Sequence, residues 1–337
     1  MPRGDIQTKF RELAEASRSF FRKENLDDGR TYISPELSNK ISIFEMLAVL
    51  KGIKPAAAQM LVLGKGSELK KVVGGMEEMK RIYGLHYALS SEKYLVDSNR
   101  DFSAVVPADS QEGHLILGYS LSQDLAKRGP EYFIKKQQDP VYSRKFGEIM
   151  GYPKCCLDFG DSVSGNVGIE EKIKKSLVWS QIYIRSFRNS TTISPLLNIF
   201  TISLVPHIPC HLDCRESKRY ALRLLEAIRE ENPAYLKALE FFMLKLNVLF
   251  WFYTERMLLL GSKKENVMHY DDFHPISYSD KRFHHPDQEF AKKFQRAASL
   301  IERGDRLVMG TEKFDIFKGD VLVGSVPKKR PFECILF

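Results

Sequence analysis

Four of the five cysteines of this chain fall into two tight pairs. Cys155 and Cys156 are adjacent, and three residues separate Cys210 from Cys214. Thiolates gathered in pairs, in a chain that otherwise nearly lacks cysteine, are typical of one soft-metal or redox site built from two distant segments. We therefore predict that these four residues bind a cofactor or metal together. The fifth cysteine, Cys334, is predicted to be an ordinary core residue.

The spacing of the cysteines bears on the kind of metal. Four thiolates complete a tetrahedral zinc site or hold a four-iron cluster. Structural zinc sites usually use pairs with about two to four intervening residues, and the adjacent pair does not fit that pattern. A cluster offers several metal corners and accepts adjacent cysteines more readily. The expected cofactor is therefore an iron–sulfur cluster, with 4Fe-4S favoured over zinc, and the expected chemistry is redox or sulfur transfer.

Two histidines lie beside the second pair and are predicted to be reserve metal ligands. They are His207 and His211. If one of them binds the metal, a cysteine is left free for catalysis or thiol exchange. Two other interpretations stay open: thiol redox chemistry without a metal, and cysteines that are simply small buried residues. No Ser-His-Asp order, nucleophile elbow or dinucleotide fingerprint identifies a catalytic residue, so the sequence does not decide whether the protein is an enzyme.

Local structure must bring these pairs together. Gly151 and Pro153 end a helix predicted over Val141–Met150 and form a bend just before the first pair. Near the second pair, Asp213 and Glu216 have the spacing of a capping box, which would place Cys214 in the first turn of a helix. Backbone N–H groups and the helix dipole at that position favour the thiolate.

The whole chain reads as an α+β protein with helical N-terminal and middle regions and a mixed α/antiparallel-β C-terminal part. With 337 residues and 43% hydrophobic content, it is long enough to bury a substantial core. We expect three regions: a helical N-terminal region (1–83), an α+β domain that carries the cysteines (84–245), and a mixed antiparallel-β and helix region (246–337).

Periodicity and turn residues predict the individual elements. The predicted helices cover Ile6–Lys23, a segment that opens at Ser34, Pro55–Gly64, Ser67–Tyr83, Leu121–Ala126, Val141–Met150, Glu170–Phe187, Pro195–Ser203, Cys214–Glu230 and Asp287–Arg303. The predicted strands lie between Tyr87 and Val96, at Phe102–Val106, His114–Tyr119, Val248–Leu260, Val267–Tyr270, Arg306–Gly310, Phe314–Lys318 and Val321–Val326.

Charge permits an anionic partner without requiring one. The net charge is +8, from 51 basic and 43 acidic residues. The segment from Lys172 to Arg188 mixes basic and aromatic residues, as in surfaces that grip single-stranded RNA. The alternative function is therefore a noncatalytic RNA- or nucleic-acid-binding module with a structural zinc site made of the four cysteines. Because the basic residues also fit the solvated face of an amphipathic helix, nucleic acid is the less favoured partner, behind a small molecule or redox partner.

Two kinds of segment that the sequence lacks bear on where the protein is located in the cell. The sequence has no charge-free apolar run of the roughly 20 residues that a membrane helix needs, so we expect no membrane partner. Its first residues include Asp5, Lys9 and Arg11 rather than an apolar signal segment. We therefore expect a cytoplasmic protein, in which paired cysteines more often bind metal or do redox work than form disulfides.

The cysteine motifs resemble those of the domain-of-unknown-function 483 family, a mainly archaeal group. The resemblance rests on residues 151–156, Gly-Tyr-Pro-Lys-Cys-Cys, and on residues 206–214, Pro-His-Ile-Pro-Cys-His-Leu-Asp-Cys, with the following Ser217. It covers about the last two thirds of the chain and leaves out the helices up to about Tyr83. The resemblance implies that the four cysteines belong to one shared feature, and the family name carries no reaction.

Overall fold

A computed structural model describes residues 5–17, 42–61, 66–97, 102–110, 112–137, 139, 141–162, 204–207, 209–211, 214–244, 246–252, 255–276, 288–328 and 335–336. In these residues, nine helices and two antiparallel sheets form an α+β fold, which confirms the predicted fold class. None of the helices in this part of the chain has the length and apolar character needed to cross a membrane.

The helices are α1 (Asp5–Ser17), α2 (Ile43–Leu50), α3 (Gly66–Tyr83), α4 (Gln123–Lys135), α5 (Val141–Ile149), α6 (Lys154–Ser162), α7 (Arg215–Glu231), α8 (Pro233–Leu244) and α9 (Gln288–Arg303). The strands are β1 (Ala56–Leu61), β2 (His86–Asp97), β3 (Phe102–Pro107), β4 (His114–Ser120), β5 (Leu246–Phe252), β6 (Glu255–Lys264), β7 (Val267–Ile276), β8 (Arg306–Met309), β9 (Lys313–Lys318), β10 (Val321–Pro327) and β11 (Ile335–Leu336).

The chain divides into two compact units. One unit is Ser17–Pro233, and the other joins Met1–Ala16 to Ala234–Phe337. The second unit contains a seven-stranded sheet in the order β10-β9-β8-β7-β6-β5-β11. Helix α9 packs on this sheet through an apolar stripe that includes Phe294, Ala297 and Ile301. These residues recur at the spacing of one face of an amphipathic helix.

The first unit carries the cysteines and a four-stranded sheet in the order β1-β4-β2-β3. Helix α4 lies across β1, β2 and β4. The helix approaches closely because Gly118 on β4 has no side chain: a Cβ there would stand 2.3 Å from Cδ of Pro130 and 2.4 Å from the carbonyl oxygen of Ala126. Helix α5 packs against α4 and leads directly into the first cysteine pair, so this close contact helps to set the position of the site.

One predicted helix is wrong. The sequence predicts a helix over Pro55–Gly64, but residues 56–61 form strand β1, which pairs antiparallel with β4. Ala56 lies opposite Ser120, whose hydroxyl donates a 2.7 Å hydrogen bond to the carbonyl of Pro55. Alanine favours a helix by only a few tenths of a kcal/mol over most residues, so strand pairing and burial outweigh its propensity.

Most other elements agree with the sequence to within a few residues. The helices at 66–83, 141–149 and 288–303 and the three strands of the 86–120 region are confirmed. The predicted single run Val248–Leu260 is instead two strands, β5 and β6, which pair with each other. The helices predicted over Glu170–Phe187 and Pro195–Ser203 lie outside the described residues. So does the predicted start at Ser34, but the later part of that segment is helical as expected, in α2.

Candidate metal centre

The turn between α5 and α6 orients the first cysteine pair. Gly151 has a positive φ of 73°, and its N–H donates to the carbonyl of Glu148 at 3.0 Å. The N–H of Tyr152 reaches back to the carbonyl of Gly147 at 2.9 Å. These two bonds form a Schellman motif with glycine at its left-handed position, which ends α5 sharply. The predicted bend before the pair is therefore confirmed.

The new helix starts at once, so both cysteines lie in its first turn. The carbonyl of Pro153 accepts hydrogen bonds from the N–H groups of Cys156 and Leu157, at 2.9 and 3.0 Å. Helix α6 thus begins at Lys154, and Cys155 and Cys156 follow as its second and third residues. A helical turn separates adjacent side chains by about 100°, which lets neighbouring cysteines serve one centre.

An ion-pair cluster holds α6 against α5. Arg144 on α5 pairs with Glu148 on its own helix at 3.2 Å and with Asp158 on α6 at 2.9 Å, and it also contacts Asp161. Lys154 reaches Asp158 at 2.8 Å. These side chains are partly exposed, so each pair adds little stability, but together they restrict the angle between the two helices.

The second pair lies at the start of α7. Cys214 occupies the N-cap, and its carbonyl accepts the N–H of Lys218 at 2.9 Å. The predicted capping box is wrong by one position, because the cap is Cys214 itself, and Glu216 pairs with Arg219 at 2.8 Å instead of reaching back. Asp213 lies outside the described residues. The N-terminal ends of α6 and α7 therefore both face the cysteines.

The four sulfur atoms lie close together around one centre. The Sγ of Cys214 lies 3.6 Å from that of Cys156 and 3.7 Å from that of Cys155, and the two adjacent cysteines are 3.9 Å apart. With Cys210 included, all four sulfurs lie within 4.8 Å of one another. None of the four forms a disulfide. The structure thus brings together all four cysteines that the sequence singled out, in an arrangement that could hold a metal ion.

The surroundings of the sulfurs are uneven. Cys156 and Cys214 are buried, Cys210 is half-buried and Cys155 is exposed. Neither His207 nor His211 belongs to the group of atoms within 4.8 Å. His211 is half-buried, and its carbonyl accepts the N–H of Cys214 at 3.1 Å. Ligation by either histidine stays a prediction.

Contacts among the four thiols, together with their burial, lower the pKa of one of them and raise the pKa values of the others. Cys156 and Cys210 lower the pKa of Cys214, and Ser217 lowers it further. The pKa of Cys156 is raised because its thiol interacts with Cys210 and Cys214, and that of Cys155 is raised chiefly by partial burial. For Cys210, the contact with Cys156 lowers the pKa, but Cys214 and burial outweigh it and raise the pKa to about 12. Without a metal, the four thiols therefore titrate as one coupled group, of which Cys214 is the most acidic member.

Behind the sulfurs, Ser217 and His207 form a hydrogen-bonded pair; the sequence indicated each residue separately but did not predict their contact. Ser217 is fully buried, and its Oγ lies 3.5 Å from Sγ of Cys156 and 2.8 Å from Nε2 of His207. The His207 ring packs against that of Tyr152 with centroids 5.1 Å apart, and the Tyr152 hydroxyl donates to the carbonyl of Pro206 at 3.2 Å. A signal for Ser217 existed: it is the third residue after the helix cap, the position from which a side chain reaches back to the cap.

The proposed nucleic-acid surface at Lys172 to Arg188 lies outside the described residues. Comparisons with protein-family models, with curated proteins and with solved structures find no match. The family resemblance therefore stays a prediction.

Proposed function

We propose that this chain is a metal-thiolate protein that binds one zinc ion through Cys155, Cys156, Cys210 and Cys214. The observation that carries the proposal is the separation of the sulfurs. A tetrahedral site with metal–sulfur bonds of about 2.3 Å has corners roughly 3.8 Å apart. The separations among the sulfurs of Cys155, Cys156 and Cys214, which are 3.6, 3.7 and 3.9 Å, match that value.

The same separations speak against the iron–sulfur cluster that the sequence favoured. In a four-iron cluster each thiolate binds a different iron, which spreads the four sulfurs to roughly 6 Å or more. Here the largest separation is within 4.8 Å, so a cluster would require the two cysteine pairs to move apart. The adjacent cysteines no longer count against zinc, because the first turn of α6 lets both sulfurs point at one centre.

The metal in this proposal has a structural role. Four protein thiolates fill a tetrahedron and leave no position for a substrate or a water molecule, as is usual at structural zinc sites. The ion would connect α6 to the segment that precedes α7. The nucleic-acid half of the alternative function depends on residues 172–188, outside the described residues, and it stays a prediction.

Metal and sulfide analysis of protein purified without oxygen tests the proposal. We expect about one zinc per chain, no acid-labile sulfide and no visible absorption. Cobalt(II) added to the metal-free protein should give the intense absorption of a tetrahedral thiolate site. Iron with an equal amount of sulfide would contradict the proposal and support the iron–sulfur cluster instead. Iron without sulfide would also contradict it and would indicate a mononuclear redox centre. Protein that binds none of these metals would leave thiol chemistry or a plain core role.

A further inference from the structure

The Ser217 hydroxyl lies between a sulfur and an imidazole. It is 3.5 Å from Sγ of Cys156 and 2.8 Å from Nε2 of His207, and all three side chains are buried. A serine hydroxyl has one proton to donate and two lone pairs to accept with. The direction of both contacts therefore depends on which neighbour can donate.

If Cys156 is a metal-bound thiolate, the donor and the acceptor in both hydrogen bonds of Ser217 are determined. Such a sulfur carries no proton and can only accept, so the Ser217 hydroxyl must donate to the thiolates, of which that of Cys156 lies at 3.5 Å. The hydroxyl oxygen must then accept a hydrogen bond from Nε2–H of His207. In a neutral imidazole this leaves Nδ1 without a proton, as a bare acceptor. The imidazole stays neutral because a second proton, on Nδ1, would place a buried charge where no acceptor lies among the described residues.

Three polar atoms behind this pair have no hydrogen-bond partner among the described residues. They are Nδ1 of His207 and the hydroxyl oxygens of Tyr119 and Tyr220. All three residues are buried, with at most 8% of their surface exposed. A buried polar group without a partner is costly, so native proteins normally satisfy such atoms with ordered water.

The three atoms without hydrogen-bond partners lie on neighbouring elements of the unit Ser17–Pro233. The rings of His207 and Tyr220 lie edge to face with centroids 6.3 Å apart. The carboxylate of Glu45, which pairs with the buried ammonium of Lys54, acts on Tyr119 and Tyr220 alike. Helix α2, which carries Glu45, packs against both α7 and β4, and these elements carry the two tyrosines. One or two water molecules, which both donate and accept, would suit a bare nitrogen and two hydroxyls.

We propose that Ser217 and His207 are positioning residues of the thiolate site, and that buried water bound at Nδ1 of His207 continues their hydrogen-bond chain to Tyr220. The first part rests on the proposed function, since it takes Cys156 as a metal-bound thiolate. The hydroxyl holds the Cys156 side chain in its ligating orientation and offsets part of the charge on its sulfur. Outer groups of this kind commonly change metal affinity by about 10- to 100-fold.

Zinc competition against a chelator tests the positioning role. We expect Ser217→Ala to bind zinc about 10- to 100-fold more weakly and to shift the sulfur-to-cobalt charge-transfer bands of the cobalt(II) form. His207→Gln keeps an N–H donor near the position of Nε2 and should recover most of the affinity, whereas His207→Phe should not. Unchanged affinity and spectrum in Ser217→Ala would overturn the role. The spectral shift separates positioning from a general loss of stability, which would leave the bands of the folded fraction in place.

Nitrogen-15 NMR of labelled histidines tests the same chain without relying on affinity. In the zinc form, His207 should be a single tautomer with its proton on Nε2, and its signals are identified by their loss in His207→Gln. The opposite tautomer would overturn the assignment. Should the wild-type protein bind no zinc, the proposed function fails, but the pair is still judged in the metal-free protein. Loss of a fixed His207 tautomer in Ser217→Ala would support the pair, and identical spectra would refute it.

The water is tested separately by a crystal structure in which ordered solvent is visible. Density for a water molecule within hydrogen-bond distance of Nδ1 of His207 is expected, and Tyr220→Phe should alter the chemical shift of that nitrogen. A dry, closed contact at Nδ1 would overturn the water site.

Discussion

The sulfur atoms of Cys156 and Cys214 lie 3.6 Å apart, although the two residues are 58 positions apart in the chain. Cys156 is in the first turn of α6, and Cys214 is the N-cap of α7. The positive ends of two helix dipoles therefore face one cluster of sulfurs. Four thiolates around a divalent cation carry a net charge of about −2, which this arrangement helps to stabilise.

Replacement of Cys214 by alanine should abolish metal retention. Its sulfur contacts both sulfurs of the first pair, so three thiolates would remain in a site built for four. The measurement is zinc content after gel filtration in the presence of a weak chelator. Cys334→Ala is the matched control and should retain zinc, because the sequence places that cysteine outside the two pairs. A Cys214→Ala protein with a full equivalent of zinc would refute the site.

Zinc binding should release protons and weaken as pH falls. The pKa values of Cys155, Cys156 and Cys210 are raised, so these thiols are protonated near neutral pH and must lose their protons to bind metal. We expect release of about three protons per zinc, with apparent affinity falling up to tenfold per pH unit for each of them. Calorimetry in buffers of different ionisation enthalpy counts the protons. A release near zero would mean that the thiolates already exist in the metal-free protein.

Gly151→Ala should destabilise the protein and weaken zinc binding. The left-handed backbone at φ 73° is unfavourable for alanine, and the new Cβ would lie 2.6 Å from Cδ of Pro55. We expect a loss of about 1 to 3 kcal/mol in the free energy of unfolding, measured with urea. Gly74→Ala is the control. This position is inside α3 with no atom within 4 Å of the added Cβ, so the change should stabilise by about 0.5 to 1 kcal/mol.

His207 should make stability depend on pH in the acidic range. Burial lowers its pKa from 6.5 to about 4 in the folded protein. Between these values the unfolded chain binds a proton that the folded chain does not, so stability is lost as pH falls from 6.5 towards 4. The loss should reach roughly 3 kcal/mol. Urea unfolding of the metal-free protein from pH 7 to 4.5 measures it.

His207→Gln should flatten this pH dependence, because glutamine does not titrate. His269→Gln, at an exposed position on β7, is the control for loss of a histidine at the surface. An equal slope in wild type and His207→Gln would mean that other groups cause the pH dependence.

The site was predictable to the extent that it depends on residue type and local turns. Cysteine is rare enough here for two pairs to stand out, and Gly151 with Pro153 indicated the bend. The choice of zinc that we propose could not be made from the sequence in the same way, because it rests on the distance between sulfurs 58 positions apart. Spacing along the chain disfavoured zinc, whereas the separation in space favours it.

The two features that the sequence did not predict, strand β1 and the Ser217–His207 contact, both depend on partners elsewhere in the chain. Residues 56–61 are alanine-rich and locally favour a helix, but the partner strand β4, more than 50 residues later, imposes strand geometry. Ser217 and His207 were not recognised as a pair, because ten positions separate them and only the packing of α7 brings them together. No local pattern in residues 56–61 indicates the pairing with β4, and the position of Ser217 after the helix cap does not identify His207 as its partner.

In the folded protein, the Schellman turn at Gly151 and the helix cap at Cys214 orient the two cysteine pairs towards each other, and the unfolded chain lacks this arrangement. Without tertiary structure, residues 155–156 and 210–214 are two separate half-sites with two sulfurs each. To bind one ion with both, the unfolded chain would have to close a loop of 58 positions, at a cost of about 4 kcal/mol in conformational entropy, estimated as for a covalent cross-link. The ion would therefore bind mainly the folded protein, and removing it would lower the free energy of unfolding by the free energy of binding.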